Sequence, residues 1–259
     1  MANFWKNINK PILALAPMAG ITDSAFRQMC KGFGADVVYS EMASATALVF
    51  NPQKTLEMLA SDKNEQPYVV QLFGSNTEHF AQAVKLLTDK KKIQKLKAIS
   101  YQLPAGFDIN FGCPVKKVAK QGAGAVLMDK PELAREIIKA VFDNTDLPVS
   151  IKIRSKVGTT DALAFLDKLE NLPLAAVMIH GRTLAQGHSG PVNTEIIREA
   201  RKHFSGIILA NGGVKDRETA LQLLQKTGAD GIGIGQGALG KPWLFDEVRS
   251  KKYEVRRTK

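Results

Sequence analysis

The chain has 259 residues, 44% of them hydrophobic, 24% charged and 7% aromatic, a balance that fits a folded protein and excludes disordered or collagen-like chains. Two cysteines, Cys30 and Cys113, are too few for a disulfide framework or a cysteine metal cluster, and no apolar run approaches the ~20 residues of a membrane span. Thirty-six Lys and Arg against 25 Asp and Glu give +11, a field that draws in polyanions; with no basic-then-apolar leader at the N-terminus, the expectation is a reduced, cytoplasmic monomer without a metal.

Taken in chain order, short apolar runs alternate with helical patterns. Strands are predicted at 12–17, 37–41, 68–74, 106–112, 149–154, 176–181, 207–212 and 231–235, most of them apolar throughout, as in a parallel sheet covered on both faces. Between them, Thr22-Asp23 opens a helix over 24–33 and Ser75-Asn76 one over 77–88. Asp129-Lys130-Pro131 opens a third over 132–142, and Lys215-Asp216 a fourth over 217–227 that Gly228 stops. The Lys-rich stretch 88–104 fits neither pattern and reads as an exposed excursion. Eight strands leave roughly 32 residues for each strand and its helix. With no hairpin signal, the fold class is α/β, a closed (β/α)8 TIM barrel, and a doubly wound open sheet is the alternative.

Chemistry in such a barrel collects where strands end. Ala16, Pro17 and Met18 end the first strand, Gln71 lies in the third, and Asn110 and Cys113 end the fourth. Lys152 and Arg154 share one face of the fifth, with Ile151 and Ile153 on the other, and His180 ends the sixth. A lysine inside a barrel strand requires an anionic or polar partner. Asn211-Gly212-Gly213 and Gly235-Gln236-Gly237, after the last two strands, read as a phosphate cradle of bare backbone N–H groups, although glycines also serve tight turns. Cys113 precedes Pro114, the basic run Lys116, Lys117 and Lys120, and a stretch expected to be flexible at Gly122 and Gly124. There it is placed to move a proton or act as a nucleophile, or is simply a small buried residue. Cys30, His79 and His203 read as packing in helices, His180 as a ligand contact, and His188 lies in the next loop. Further positive charge gathers at Lys90, Lys91, Lys92, Lys95 and Lys97, and at Arg249, Lys251, Lys252, Arg256, Arg257 and Lys259.

Several blocks occur in a fixed order along nearly the whole chain. They are Ala16-Pro17-Met18-Ala19-Gly20-Ile21-Thr22-Asp23, Val70-Gln71-Leu72-Phe73-Gly74, and the run from Asp108-Ile109-Asn110-Phe111-Gly112-Cys113-Pro114 to Ala125. Ile151-Lys152-Ile153-Arg154, Ile179-His180-Gly181-Arg182-Thr183, Asn211-Gly212-Gly213 and Gly240-Lys241-Pro242-Trp243 follow. In these motifs the chain resembles the tRNA-dihydrouridine synthases, flavin-dependent (β/α)8 enzymes that reduce uridines in tRNA.

The resemblance implies FMN held by Ala16, Pro17, Met18, Gln71, Lys152, His180, Asn211, Gly212, Gly213, Gly235 and Gln236. It also implies hydride passing from reduced FMN to C6 of uracil, with Cys113 giving the proton at C5, and NADPH (or NADH) re-reducing the flavin. Asn110 and Arg154 would hold the flipped base, and Lys152 would stabilise negative charge on the reduced ring. Lys116 and Lys117 are the expected contacts to tRNA phosphates. On this reading residues 1–245 are the FMN-binding catalytic barrel and 246–259 a basic tail, the remnant of the helical tRNA-binding domain with which family members continue. The family commonly has Arg where this chain has Gln236. Two rivals stand beside it: a flavin barrel acting on a free pyrimidine or small enone, which has no need of the +11 charge, and a non-catalytic RNA-binding module on a decayed barrel, which has no need of Cys113, Lys152 and His180.

Overall fold

A computed structural model describes residues 3–96 and 100–250; Lys97 and the basic cluster within 251–259 lie outside the described residues. The predicted strands form, each somewhat shorter than the apolar run that announced it or equal to it: β1 (Ile12–Leu15), β2 (Val37–Tyr39), β3 (Tyr68–Phe73), β4 (Gly106–Phe111), β5 (Val149–Arg154), β6 (Ala176–His180), β7 (Ile207–Asn211) and β8 (Gly231–Ile234). All pair in parallel, each with its neighbours in sequence, and β1 pairs with both β2 (Ala14 opposite Val37) and β8 (Ile12 opposite Gly231). The sheet therefore closes into the expected (β/α)8 barrel. Glycine permits that closure: a Cβ at Gly231 would lie 2.1 Å from the Ile12 carbonyl oxygen.

The inside of the barrel is divided by height. At the N-terminal end, Ile12, Ala14, Val37, Val69, Met178 and Leu209 pack with Trp5, which enters from the short turn Phe4–Asn7. At the C-terminal end the inward residues become polar: Gln71, Asp108, Asn110, Ser150, Arg154, His180 and Asn211 are all buried. The outward positions, such as Ile151 and Ile153 on β5, join the apolar layer under the helices. A water-excluding floor thus lies beneath a polar chamber.

Local signals act as read. Asp23, Asn76 and Asp216 each accept a backbone N–H three residues on, at 2.8–3.0 Å, and open the helices Ser24–Gly32, Thr77–Thr88 and Arg217–Thr227. Pro131 begins Pro131–Phe142, and Gly228 ends its helix at φ 60°.

Two expectations are corrected. Within 88–104 a helix forms over Lys90–Lys95; Asp89 caps it, accepting from Lys92 N–H at 3.1 Å, and Ile93 is its buried anchor. The stretch after Cys113 is a helix over Lys116–Lys120, held by buried Val118, followed by a 3-10 turn at Gly124–Asp129. Helices Ala45–Phe50, Pro52–Met58, Ala162–Lys168, Thr194–Glu199 and Leu244–Arg249, the short strand Ala43–Ser44 and an antiparallel pair, Lys156–Val157 with Thr160–Asp161, were not individually anticipated. No helix among the described residues is long and apolar enough to cross a membrane.

One buried ion pair pins the loop after β1. Arg27 donates from Nε to Glu65 at 2.6 Å and from its two other nitrogens to the Thr22 and Ala60 carbonyls, and its guanidinium lies 4.6 Å from the Tyr68 ring centre. Both side chains are wholly buried, so removal of one charge strands the other. Glu65→Ala is expected to destabilise the fold by about 3–5 kcal/mol, read as a shift in the urea midpoint. A loss under about 1 kcal/mol would mean that the carbonyl bonds of Arg27 suffice.

Candidate active site

The strand ends and their loops enclose a cavity of about 620 Å³ at the C-terminal mouth of the barrel. The size suits a ligand of nucleotide dimensions. The β1 loop supplies Ala16, Pro17 and Met18, and β3, β5 and β6 supply Gln71, Lys152, Arg154 and His180. Asn110 and Cys113 enter from β4, and Asn211, Gly212, Gly213, Gly235 and Gln236 from β7 and β8. Only Lys116 and Lys117 among the predicted site residues fall outside the lining; both are exposed on the helix just past the lip.

Beneath the cavity runs a hydrogen-bonded chain of fixed polarity. The Asp108 carboxylate accepts from Ser150 Oγ at 2.6 Å and from Gln71 Nε2 at 2.7 Å. Gln71 Oε1 then accepts from Asn110 Nδ2 at 2.8 Å. Asn110 Oδ1 in turn accepts from the backbone N–H groups of Gly112 and Cys113, at 3.1 and 2.8 Å. A buried acid thereby orients, through two amides, the turn that carries the thiol. Burial pushes the Asp108 carboxyl up to about 6, against its hydrogen bonds and the attraction of Lys152.

Electrostatically the cavity is one-sided. Lys152, Arg154, Arg182, Lys215 and Lys241 line it, and no Asp or Glu does. No hydrogen bond or ion pair is found for the Lys152 ammonium among the described residues; burial and neighbouring Arg154 bring it down to about 8, with Asp108 and Cys113 acting the other way. His180 is pushed down to about 2 by burial first and then by Lys152, Arg154, Arg182 and His188, so it is a neutral imidazole across the physiological range. Arg154 is heavily engaged: Nε donates to the Gly112 carbonyl at 2.8 Å, and Nη1 to those of Thr183 and Gly187, each at 2.9 Å.

The β7 and β8 loops form the expected cradle. Gly212 and Gly213 have φ of 110° and 76°, and a Cβ at Gly212 would meet His180 Cδ2 at 2.8 Å. The backbone N–H groups of Gly212, Gly213, Gly235 and Gln236 find no acceptor among the described residues, which leaves them to a ligand anion. Asn211 is held in place by donating from Nδ2 to the Gly233 carbonyl at 2.7 Å. Across the cavity sits the half-buried Cys113, so one chamber combines an anion cradle, an unpartnered ammonium and a thiol.

Sequence reasoning missed Asp108 as a site residue, and Met42, Arg182, Lys215 and Lys241 as lining. Asp108 lay two residues before Asn110 on one strand face, and that period-2 spacing could have exposed it. Lys215 and Lys241 follow glycine turns and carried no spacing signal.

The family model described as dihydrouridine synthase matches residues 14–258. The chain is 34% identical over 238 residues to the tRNA-dihydrouridine synthase B of Pseudomonas syringae pv. tomato, which covers 91% of this chain and 67% of that protein. It is 34% identical over 251 residues to a probable tRNA-dihydrouridine synthase of Aquifex aeolicus, covering 95% and 75%. To a probable tRNA-dihydrouridine synthase of Rickettsia conorii it is 34% identical over 239 residues, covering 91% and 69%.

With four cationic or imidazole neighbours and no acid beside it, His180 should keep its neutral form as pH falls. Its imidazole NMR shifts are expected to stay constant from pH 8 to about 4. An inflection near pH 6 would show that the cluster does not act on it.

Proposed function

The chain belongs to the dihydrouridine synthase family, and from that membership we propose that it reduces uridine in tRNA to 5,6-dihydrouridine at this cavity, with FMN as resident cofactor and NADPH or NADH as reductant. The observation that carries the reading is the combination of a thiol at the lip with an acid-free chamber whose free backbone N–H groups and unpartnered Lys152 await an anion. The donor set fits FMN: the N–H groups of Gly212, Gly213, Gly235 and Gln236 suit its phosphate, and they do so without the arginine common in the family at the position of Gln236. Ala16, Pro17, Met18, Gln71, His180 and Asn211 would hold the rest. When bound, FMN supplies the hydride to C6 of the uracil ring.

The protein's own groups do the remainder. Cys113 delivers the proton to C5, its turn fixed by the two N–H bonds to Asn110. Asn110 and Arg154 border the place of the uracil. Arg154 already spends three N–H bonds on loop carbonyls, so it shapes the pocket as much as it grips the base. Lys152 keeps a positive charge where negative charge develops. Neutral His180 adds a hydrogen-bond donor or acceptor without a further charge. A uridine held in folded RNA reaches such a chamber only by leaving its stack, and Lys116 and Lys117 beyond the lip attract the phosphates around it. On this reading 1–245 is the catalytic barrel and 246–259 a basic tail, and the protein works as a cytoplasmic monomer without a metal.

Cys113→Ala is expected to stay yellow and to accept electrons from NADPH while dihydrouridine formation on unmodified tRNA drops by about 10²–10⁴-fold, measured by mass spectrometry of digested tRNA. Equal product from variant and wild type would remove the proton-donor role, and comparable turnover of free uridine would favour the free-pyrimidine reading. Changing Lys116 and Lys117 together to Ala should weaken tRNA binding and flatten its dependence on log[salt]; an unaltered slope would show that neither lysine meets a phosphate.

A further inference from the structure

The loop that follows β6 carries basic side chains to which the mechanism gives no task. This loop is built rather than slack. Arg154 holds the Thr183 and Gly187 carbonyls, and Gln186 closes a local turn by accepting from Thr183 N–H at 2.8 Å and donating to the Pro191 carbonyl at 3.2 Å. Leu184 N–H donates to the Lys156 carbonyl at 2.8 Å, and Asn193 N–H to that of Gly181 at 2.7 Å. On this frame Arg182 donates from Nε to the Gly190 carbonyl at 2.8 Å. That bond sets the plane of the guanidinium, and its two terminal nitrogens have no partner among the described residues while the side chain lines the cavity. His188 stands on the same loop, its ring centre 6.0 Å from that of His180.

We propose that Arg182, with His188 beside it, forms a second anion site at the lip of the cavity, which takes a phosphodiester of the RNA chain flanking the extruded nucleotide. This rests on the tRNA reading above. The glycine cradle belongs to the β7 and β8 loops, and its four free N–H groups suffice for the single phosphate of the cofactor, so Arg182 on the adjacent β6 loop is left as a second site. An anion at the second comes from another ligand. A nucleotide swung into the chamber brings its flanking phosphates to the lip, and the planar fork of Arg182 matches two phosphate oxygens at once. No carboxylate lines the chamber to compete for it. The same chemistry would suit a phosphate of the nicotinamide dinucleotide, and the experiment separates the two sources.

Fluorescence anisotropy of labelled, unmodified tRNA is measured against salt for the flavin-loaded wild type, Arg182→Gln and Arg182→Lys. The Gln variant is expected to bind about tenfold more weakly, with a slope in log[salt] smaller by roughly 0.7–0.9, the share of one phosphate contact. The Lys variant should recover the slope but only part of the affinity, because a point charge lacks the fork. Flavin content and the KM for NADPH should match the wild type. Unchanged tRNA affinity and slope in Arg182→Gln would overturn the site, as would a raised KM for NADPH with tRNA binding intact. A wild-type protein that does not bind tRNA would take down the tRNA reading and this site together, whereas a binding wild type with an indifferent variant removes the site alone.

Discussion

Asp108 is the interaction on which the mouth of the barrel depends. An ionised carboxylate only accepts hydrogen bonds. Placed without exposure between Ser150 and Gln71, it leaves the Gln71 amide one orientation: nitrogen toward Asp108, oxygen toward Asn110. Asn110 is then fixed in the same sense, and its oxygen gathers the N–H groups of the turn at Gly112 and Cys113. An amide alone can be turned over with little change in shape; an acid at the foot of the chain removes that freedom. The arrangement has a thermodynamic cost. Because the folded carboxyl titrates near 6 rather than 3.8, the native state holds its proton longer than the unfolded chain does. This group's contribution to stability therefore declines as pH rises from about 4 to about 6.

Above that chain the chamber is assembled from charges of one sign. Lys152, Arg154 and Arg182 crowd the β5 and β6 side, Lys215 and Lys241 the β7 and β8 side. Like charges so close oppose one another, and the protein relieves part of this by lowering Lys152 toward about 8, keeping His180 neutral and tying Arg154 to three carbonyls. What repulsion remains is relieved by a bound anion, so the binding of a phosphate-bearing ligand and the stability of the mouth are linked.

Much of this was legible in the chain because it rests on short-range rules. Alternation in Ile-Lys-Ile-Arg placed Lys152 and Arg154 inward and Ile151 and Ile153 outward, and caps such as Asn76 and Asp216 fixed helix starts. The helix Lys90–Lys95 escaped because a single buried side chain, Ile93, among lysines makes no apolar stripe. Lys116–Lys120 escaped because Gly122 and Gly124 suggested slack, whereas their positive φ ends the helix and turns the chain under Cys113. The partners of Asp108 and of Arg154 were hidden for a different reason: Gln71 and Ser150 lie on neighbouring strands and the carbonyls bound by Arg154 in loops, some 30 to 40 residues away, and local pattern carries no such pairing.

Arg154 also bears on how the barrel admits something bulky. Its guanidinium clasps the carbonyl just before Cys113 and two carbonyls of the loop bearing Arg182, which makes those two walls a single stiff cheek of the entrance. The opposite cheek is fastened separately: the loop at 18–21 meets the next through Gly20 N–H on the Glu41 carboxylate at the surface, and Arg27 holds its far end at the Thr22 carbonyl. A change at the Arg154 guanidinium is therefore felt on both walls of the stiff cheek at once.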